Sequence, residues 1–244
     1  MNYEAYNAAL SDSFHREMTA SPADWCVSER LHQKITPDGR MNDFYGATAV
    51  IKLSDEDKIK CTDIQERLFQ SHSSMLVKLI PETFHLTIHA LGNVSNINGD
   101  IETVRALISK YEDAVQTVFR EIRRLYVGEQ IRMRSMGAST SGQDVVSLKF
   151  APDSERDFTI LIDMFHRLEA VFPLGRPFVP HVSLAYFRPL AFDKKEAVLL
   201  HKTLERVRKH AEFDIVLDVY YLVYQYHTHM NDFRDVFSAA NVDR

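Results

Sequence analysis

Cysteine is nearly absent from this chain. Cys26 and Cys61 are the two in 244 residues, far apart in sequence. That is too few for a disulfide framework, and no Cys-based metal spacing exists. The expectation is a pair of free thiols in a reducing cytosol. Excess positive charge is also missing: the net charge is −5. No global basic field is available for tight, sequence-blind binding of long nucleic acid, so any nucleotide site must be local. No uncharged apolar run approaches the ~20 residues that a membrane helix needs. The first residues, MNYEAYNAALSDSFHREM, carry no apolar signal core. Together these absences predict a cytoplasmic protein with no membrane partner. No Gly-rich phosphate loop of the dinucleotide or Walker type is present, so ATP- or NAD-dependent chemistry has no support and no cofactor is expected.

What is present is ordinary globular material, 45% hydrophobic and 26% charged, able to bury a sizeable core. A short helix is expected near residues 4–18 and a turn at Thr36-Pro37-Asp38-Gly39. A first strand is expected over 45–53. Ser54 reads as the cap of a helix running to about Gln70. A short strand follows at 75–80, then a strand at 85–91, a turn-rich loop at 93–100 and an amphipathic helix over 101–120. The second half repeats this grammar. Strands at 130–136 and 144–150 are joined by a Gly/Ser/Thr loop at 137–142. Then come a helix from Ser154 to about Phe172, a Pro/Gly loop, a strand at 179–187, a helix at 193–210 and one long strand at 213–227 with a short polar tail. The alternation predicts an α/β or α+β architecture of two lobes with an internal structural duplication. Residues 1–44 form an N-terminal extension packed on the core, and 45–244 one bilobal domain.

Eleven histidines are present, and four have a hydroxyl residue two positions on: His72/Ser74, His85/Thr87, His181/Ser183 and His201/Thr203. The first closes a helix and reads as a polar turn, and the last lies within one. On a helix, residues two apart point about 200° from each other, so such a pair cannot share a ligand. In a strand, residues two apart share a face. Only Phe84-His85-Leu86-Thr87-Ile88 and Val179-Pro180-His181-Val182-Ser183-Leu184 have strand alternation. Each presents one imidazole beside one hydroxyl. Two such strands facing one cleft supply two proton-transfer groups and two hydroxyl donors, a set that suits in-line displacement at phosphorus.

The paired motifs, with Pro180 before the second and Tyr186 after it, resemble those of the two-histidine (2H) phosphoesterase superfamily. That superfamily includes RNA ligase-like cyclic phosphodiesterases, cyclic nucleotide phosphodiesterases and RNA 3′-end-trimming enzymes. The likeness spans about residues 45–227. Leu31–Arg40 with Tyr45-Gly46-Ala47-Thr48 resembles the start of one branch of it. The resemblance implies an α+β, bilobal fold: two antiparallel β-sheets related by a pseudo-two-fold around a central cleft, helices on the outside, and both motifs on central strands facing the cleft. It implies a phosphodiesterase acting on a 2′,3′-cyclic phosphate or RNA-type phosphodiester. The partner would be a nucleotide or short RNA with a cyclic phosphate end, and no stable protein partner is implied. His85 and His181 would be catalytic, and Thr87 and Ser183 would hold the phosphate.

Neighbouring residues invite roles in the substrate pocket. His89 shares the face of His85 and Thr87. Tyr186 falls on the opposite face from Ser183 unless the strand bulges. Arg188 lies past the strand, and Tyr226 shares a face with Tyr224. Lys149, Arg132 and Arg134 are candidates for a local positive field. Two alternatives remain at this stage. One is a metal-dependent hydrolase built on His227-Thr228-His229, or on His85/His89, with Asp232 or Asp235. The other is a catalytically inactive nucleotide-binding module on the same fold.

Overall fold

The structure, a computed structural model, describes residues 1–20, 26–97, 100–140, 143–208 and 210–242. Parts of two expected loops, 98–99 and 141–142, lie outside them, as does residue 209 at the end of the expected 193–210 helix.

Capping chemistry sets where the helices begin. Asn2 opens α1 (Tyr3–Thr19), Ser54 opens α2 (Asp55–His72), Asp100 opens α3 (Ile101–Tyr126) and Ser154 opens α4 (Glu155–Val171). In each, the side-chain oxygen of the capping residue accepts a backbone N–H of the first turn, which would otherwise lack a partner. The last long helix is α5 (Lys194–Arg208). Helix α3 runs well past the expected end at 120. Its apolar stripe continues through Ile122, which is fully buried.

The strands form two antiparallel sheets. In chain order they are β1 (Gly46–Lys52), β2 (Leu76–Lys78), β3 (His85–His89), β4 (Gln130–Ser139), β5 (Val145–Pro152), β6 (His181–Phe187), β7 (Asp214–Asp218), β8 (Leu222–His229) and β9 (Asp232–Ser238). The first sheet has the order β3-β1-β8-β9; the second is β2-β6-β5-β4-β7. The fold is thus α+β with two antiparallel sheets, as expected. The lobes do not coincide with the two halves of the chain. Strand β2 leaves the first half to join the second sheet, and β8 and β9 leave the second half to complete the first.

Two expectations about strands fail. The single strand expected at 213–227 is broken by a 3₁₀ turn at Val219–Tyr221, where the Asp218 carboxylate accepts the Tyr220 N–H. The break lets β7 and β8 serve different sheets. The residues expected as a polar tail instead form β9. Its mixture of Asp232, Arg234 and Asp235 with Phe233 and Phe237 suits an edge strand, where charge discourages further pairing. A third difference concerns the first motif. Strand β3 is an edge strand, while β6 is internal to its sheet. Strand β3 comes close to β6, so the two motif strands approach each other across the gap between the sheets.

Helix α1 packs over β4 and β5. Tyr6 and Leu10 are buried there, and the Tyr6 hydroxyl donates to the Phe178 carbonyl at 3.1 Å. Among the described residues no helix is long and apolar enough to cross a membrane.

Candidate active site

A cavity of about 620 Å³ opens between the sheets, and His85, Thr87, His181 and Ser183 all line it. The two motifs are built alike. The Nδ1 of His85 lies 2.7 Å from the carbonyl of Thr83, and that of His181 lies 2.8 Å from the carbonyl of Val179, each two residues upstream. A carbonyl can only accept, so each Nδ1 carries the hydrogen and each Nε2 is left with its lone pair. Neither Nε2 has a hydrogen-bond partner among the described residues, and neither do the hydroxyls of Thr87 and Ser183.

Each motif is followed by the same irregularity. The pairing of β1 with β3 steps from Ala49↔His89 to Val50↔Thr87, leaving Ile88 as an extra residue. The pairing of β5 with β6 steps from Val146↔Ala185 to Ser147↔Ser183, leaving Leu184. Both bulges fall directly after the hydroxyl residue. A bulge displaces the alternation that follows it. Simple alternation put Tyr186 on the far face from Ser183; the bulge at Leu184 brings it to the cavity wall. There its hydroxyl donates to the Met230 sulfur at 3.2 Å.

Burial holds both motif imidazoles well below their ordinary range. His85 is lowered to about 4, chiefly by desolvation, with Lys52 adding to the effect and the Thr83 carbonyl opposing it. His181 is also lowered to about 4, by desolvation first and then by the Lys149 charge. Both are neutral at pH 7 in the free protein.

The other nominated residues divide. His89 lines the cavity, but its Nε2–H is given to Glu169 Oε2 at 2.8 Å and its ring lies against Phe165, so it does not orient His85. Desolvation lowers its pKa in spite of Glu169, and its Nδ1 is enclosed without a partner. Arg188 does not line the cavity. The chain turns away after β6, and its guanidinium lies against Gly39 with Nε enclosed. Tyr226 is also off the cavity, its hydroxyl given to Glu112 and its ring set beside Tyr45 and Tyr224. Arg132 and Arg134 are exposed on β4, away from the cavity. Lys149 is buried opposite His181.

The positive field comes from residues that sequence reasoning missed. Arg30, Lys34 and Arg176 line the cavity, with Asp144 as a carboxylate among them. Lys34 Nζ lies 5.1 Å from the Tyr186 ring centre and 5.3 Å from that of Phe44, and pairs with Asp144 at 3.7 Å. The signal available for Arg176 was its place in the Pro/Gly loop just before the second motif. Lys34 lies in the Leu31–Arg40 segment noted for its resemblance.

His227, earlier grouped with His229 as metal ligands, also lines the cavity. It repeats the motif tether, with Nδ1 2.7 Å from the Phe44 carbonyl, and burial lowers it to about 4. Its supposed co-ligands are engaged elsewhere. His229 Nδ1 accepts from Asn231, Asp232 accepts from Thr228, and Asp235 accepts from Lys52 and Gln225. Among the described residues no three His, Cys, Asp or Glu side chains gather closely enough to hold a metal ion.

No protein-family model matches the sequence, and no curated protein matches it. Solved structures similar to it include the conserved protein of unknown function ATU0111 from Agrobacterium tumefaciens str. C58. That match has 16% identity over 92% of this chain and 97% of that one, with a TM-score of 0.66. TT0787 of Thermus thermophilus is 13% identical over 80% of this chain and 98% of its own, with a TM-score of 0.47. LigT of E. coli, solved in complex with 3′-AMP, is 14% identical over 80% of this chain and 97% of its own, also at 0.47. At 16% identity the likeness is one of architecture: over nearly its whole length, this chain has the fold of ATU0111.

Proposed function

We propose that this protein is a metal-independent phosphodiesterase acting on a 2′,3′-cyclic phosphate or an RNA-type phosphodiester. The observation that carries the reading is the duplicated device: two imidazoles, each tethered through Nδ1 to the carbonyl two residues upstream, each followed by a hydroxyl without a partner among the described residues, and all four lining one cavity. A single tethered histidine is ordinary structure. Two, symmetrically built, supply what displacement at phosphorus requires.

In the reaction, the neutral Nε2 of one histidine takes a proton from water or a ribose hydroxyl as its oxygen bonds to phosphorus. The opposite P–O bond breaks, and the other histidine, protonated, gives its proton to the leaving oxygen. Thr87 and Ser183 donate to the non-bridging oxygens as charge gathers on them. Arg30, Lys34 and Arg176 supply the local positive field that a chain of net charge −5 lacks overall. The motifs' resemblance to two-histidine phosphoesterases points the same way.

The test incubates the purified protein with 2′,3′-cyclic nucleotides and with short RNAs bearing cyclic or 3′-hydroxyl ends, with and without EDTA, beside His85→Ala and His181→Ala. The expected result is EDTA-resistant hydrolysis, reduced about 10²–10⁴-fold in either variant. EDTA-sensitive turnover, binding without turnover, or full activity of His85→Ala would each overturn it.

A further inference from the structure

The two motif histidines have the same neighbour. In the β1–β3 ladder His85 stands directly opposite Lys52; in the β5–β6 ladder His181 stands directly opposite Lys149. Residues directly opposite in an antiparallel pair share a face with their Cβ atoms about 5 Å apart. Each imidazole therefore has an ammonium side chain on its own side of the sheet. The likeness between the two His-x-hydroxyl strands extends to the strands beside them.

The two lysines are not equivalent. Lys52 is half exposed and its Nζ lies 2.6 Å from Asp235, itself half exposed. An exposed, paired charge is screened by water, salt and its partner. Lys149 is 5% exposed and lies beneath α1, where Glu17 reaches it at 3.8 Å. The other oxygen of Glu17 accepts the Ser139 hydroxyl at 2.5 Å, fixing the carboxylate between β4 and β5. Burial lowers the Lys149 pKa, and Glu17 works against that shift. The N-terminal helix thus keeps a cation in a poorly screened position beside one of the two histidines.

We propose that Lys149, held by Glu17, is a positioning residue of the site: its charge, directly across the sheet from His181, assigns the role of base to His181 and leaves that of acid to His85. The inference rests on the acid–base reading above and deepens it. A neighbouring cation disfavours imidazolium. His181 therefore stays unprotonated, with its Nε2 lone pair ready. His85, beside a lysine that solvent and salt screen, is the one to gain a proton when an anionic phosphate enters. The groups facing His181 are Lys149 from β5, His85 from β3 and Arg176 from the preceding loop. Those facing His85 are Lys52 from β1, with Asp235 of β9 upon it, His181, and His227 from β8. Glu17 acts through Lys149.

The first test needs no substrate. The Cε1–H signals of His85 and His181 are followed by NMR against pH in the full chain. Lys149→Met is expected to raise the His181 midpoint by about one pH unit or more and to leave His85 in place, whereas Lys149→Arg keeps His181 as in the wild type. In the wild type alone, about 0.5 M NaCl should move His85 more than His181, because only the exposed lysine is screened. That comparison, with Lys52→Met as a second variant, decides the matter even if Lys149→Met does not fold. An unmoved His181 in Lys149→Met, equal movement of both histidines, or a larger salt response from His181 overturns the proposal. The second test uses bis(p-nitrophenyl) phosphate, whose leaving group needs no proton. His85→Ala should then lose no more than about 10-fold, while His181→Ala loses about 100-fold or more; the reverse order overturns the role assignment. If the wild-type protein turns over neither this diester nor a cyclic nucleotide, the proposed function fails, and the titration still decides the effect of Lys149.

Discussion

Replacing Glu169 with glutamine should loosen the wall of the cavity without touching either motif. Glu169 lies in the last turn of α4. Its Oε1 accepts the backbone N–H groups of Leu174 and Gly175 at 2.8 and 2.7 Å, and its Oε2 accepts His89 Nε2–H at 2.8 Å. One carboxylate therefore ties strand β3 of the first sheet to the loop that carries Arg176 and leads into His181. A glutamine oxygen can keep the two backbone donors, although without charge assistance, worth about 0.5 kcal/mol each. Its NH₂ then meets the His89 N–H, donor against donor. The imidazole can move its hydrogen to Nδ1, but that atom is enclosed without a partner. A buried donor left unpaired costs about 1–3 kcal/mol. The total is about 2–4 kcal/mol, which for a chain of this size lowers Tm by at least about 4 °C. The pH dependence has a definite sign. Burial raises the Glu169 carboxyl, but the hydrogen bonds from His89, Gly175 and Leu174 outweigh it and hold the group below its usual range. A depressed carboxylate stabilises the fold above its unfolded pKa, and that contribution disappears as pH falls through the folded value. The Tm gap between wild type and Glu169→Gln should therefore be widest near neutrality and close on acidification. Calorimetry at several pH values measures it. A Tm within about 1 °C of wild type, or a gap that widens toward acid, would refute the reasoning.

Three further outcomes are expected. Thr87→Val and Ser183→Ala should each lower kcat on a 2′,3′-cyclic nucleotide by about 10–10³-fold with little change in Tm, since each removes one donor to the transition state. The free-enzyme profile, kcat/KM, should peak on the acid side of neutrality, because His85 and His181 are both lowered to about 4 and one of them must be protonated. Bound phosphate raises the acid's pKa, so the kcat profile should peak at higher pH; coincident profiles would contradict this. Gly46→Ala would place a Cβ 2.6 Å from both Asn93 Cβ and His227 Nε2. It should cost about 1–3 kcal/mol in urea unfolding and shift the NMR titration of His227.

Features set by local chemistry were legible in the sequence. Ser54 and Ser154 mark helix starts because a cap is a contact within one turn. The motif strands are legible because alternation survives in a single segment. What long-range pairing decides was not. No proline or glycine in 213–238 marks the 3₁₀ break or the turn into the edge strand. The bulges at Ile88 and Leu184 are visible only in register, and the second of them decides that Tyr186 reaches the cavity. The local cations are only partly legible: Lys149 does stand opposite His181, but Arg132 and Arg134 are exposed on β4, while Arg30, Lys34 and Arg176 arrive on irregular segments.

The exchange of strands between the lobes bears on how the protein comes to exist. During synthesis β1 and β3 emerge early, yet β1 lacks its second neighbour until β8 appears, more than a hundred residues later. The β8–β9 hairpin also closes the far side, where Asn231 takes the Ile80 N–H and gives a hydrogen to the Lys78 carbonyl. Neither lobe can be finished from one contiguous stretch of chain. Pairings of such high sequence separation fold slowly, and the nascent first sheet must wait on the ribosome with an open edge on each side of β1 and β3. Splitting the gene between the two motifs should therefore yield two insoluble pieces rather than two half-sites, and co-expression rather than mixing is the route by which they could meet.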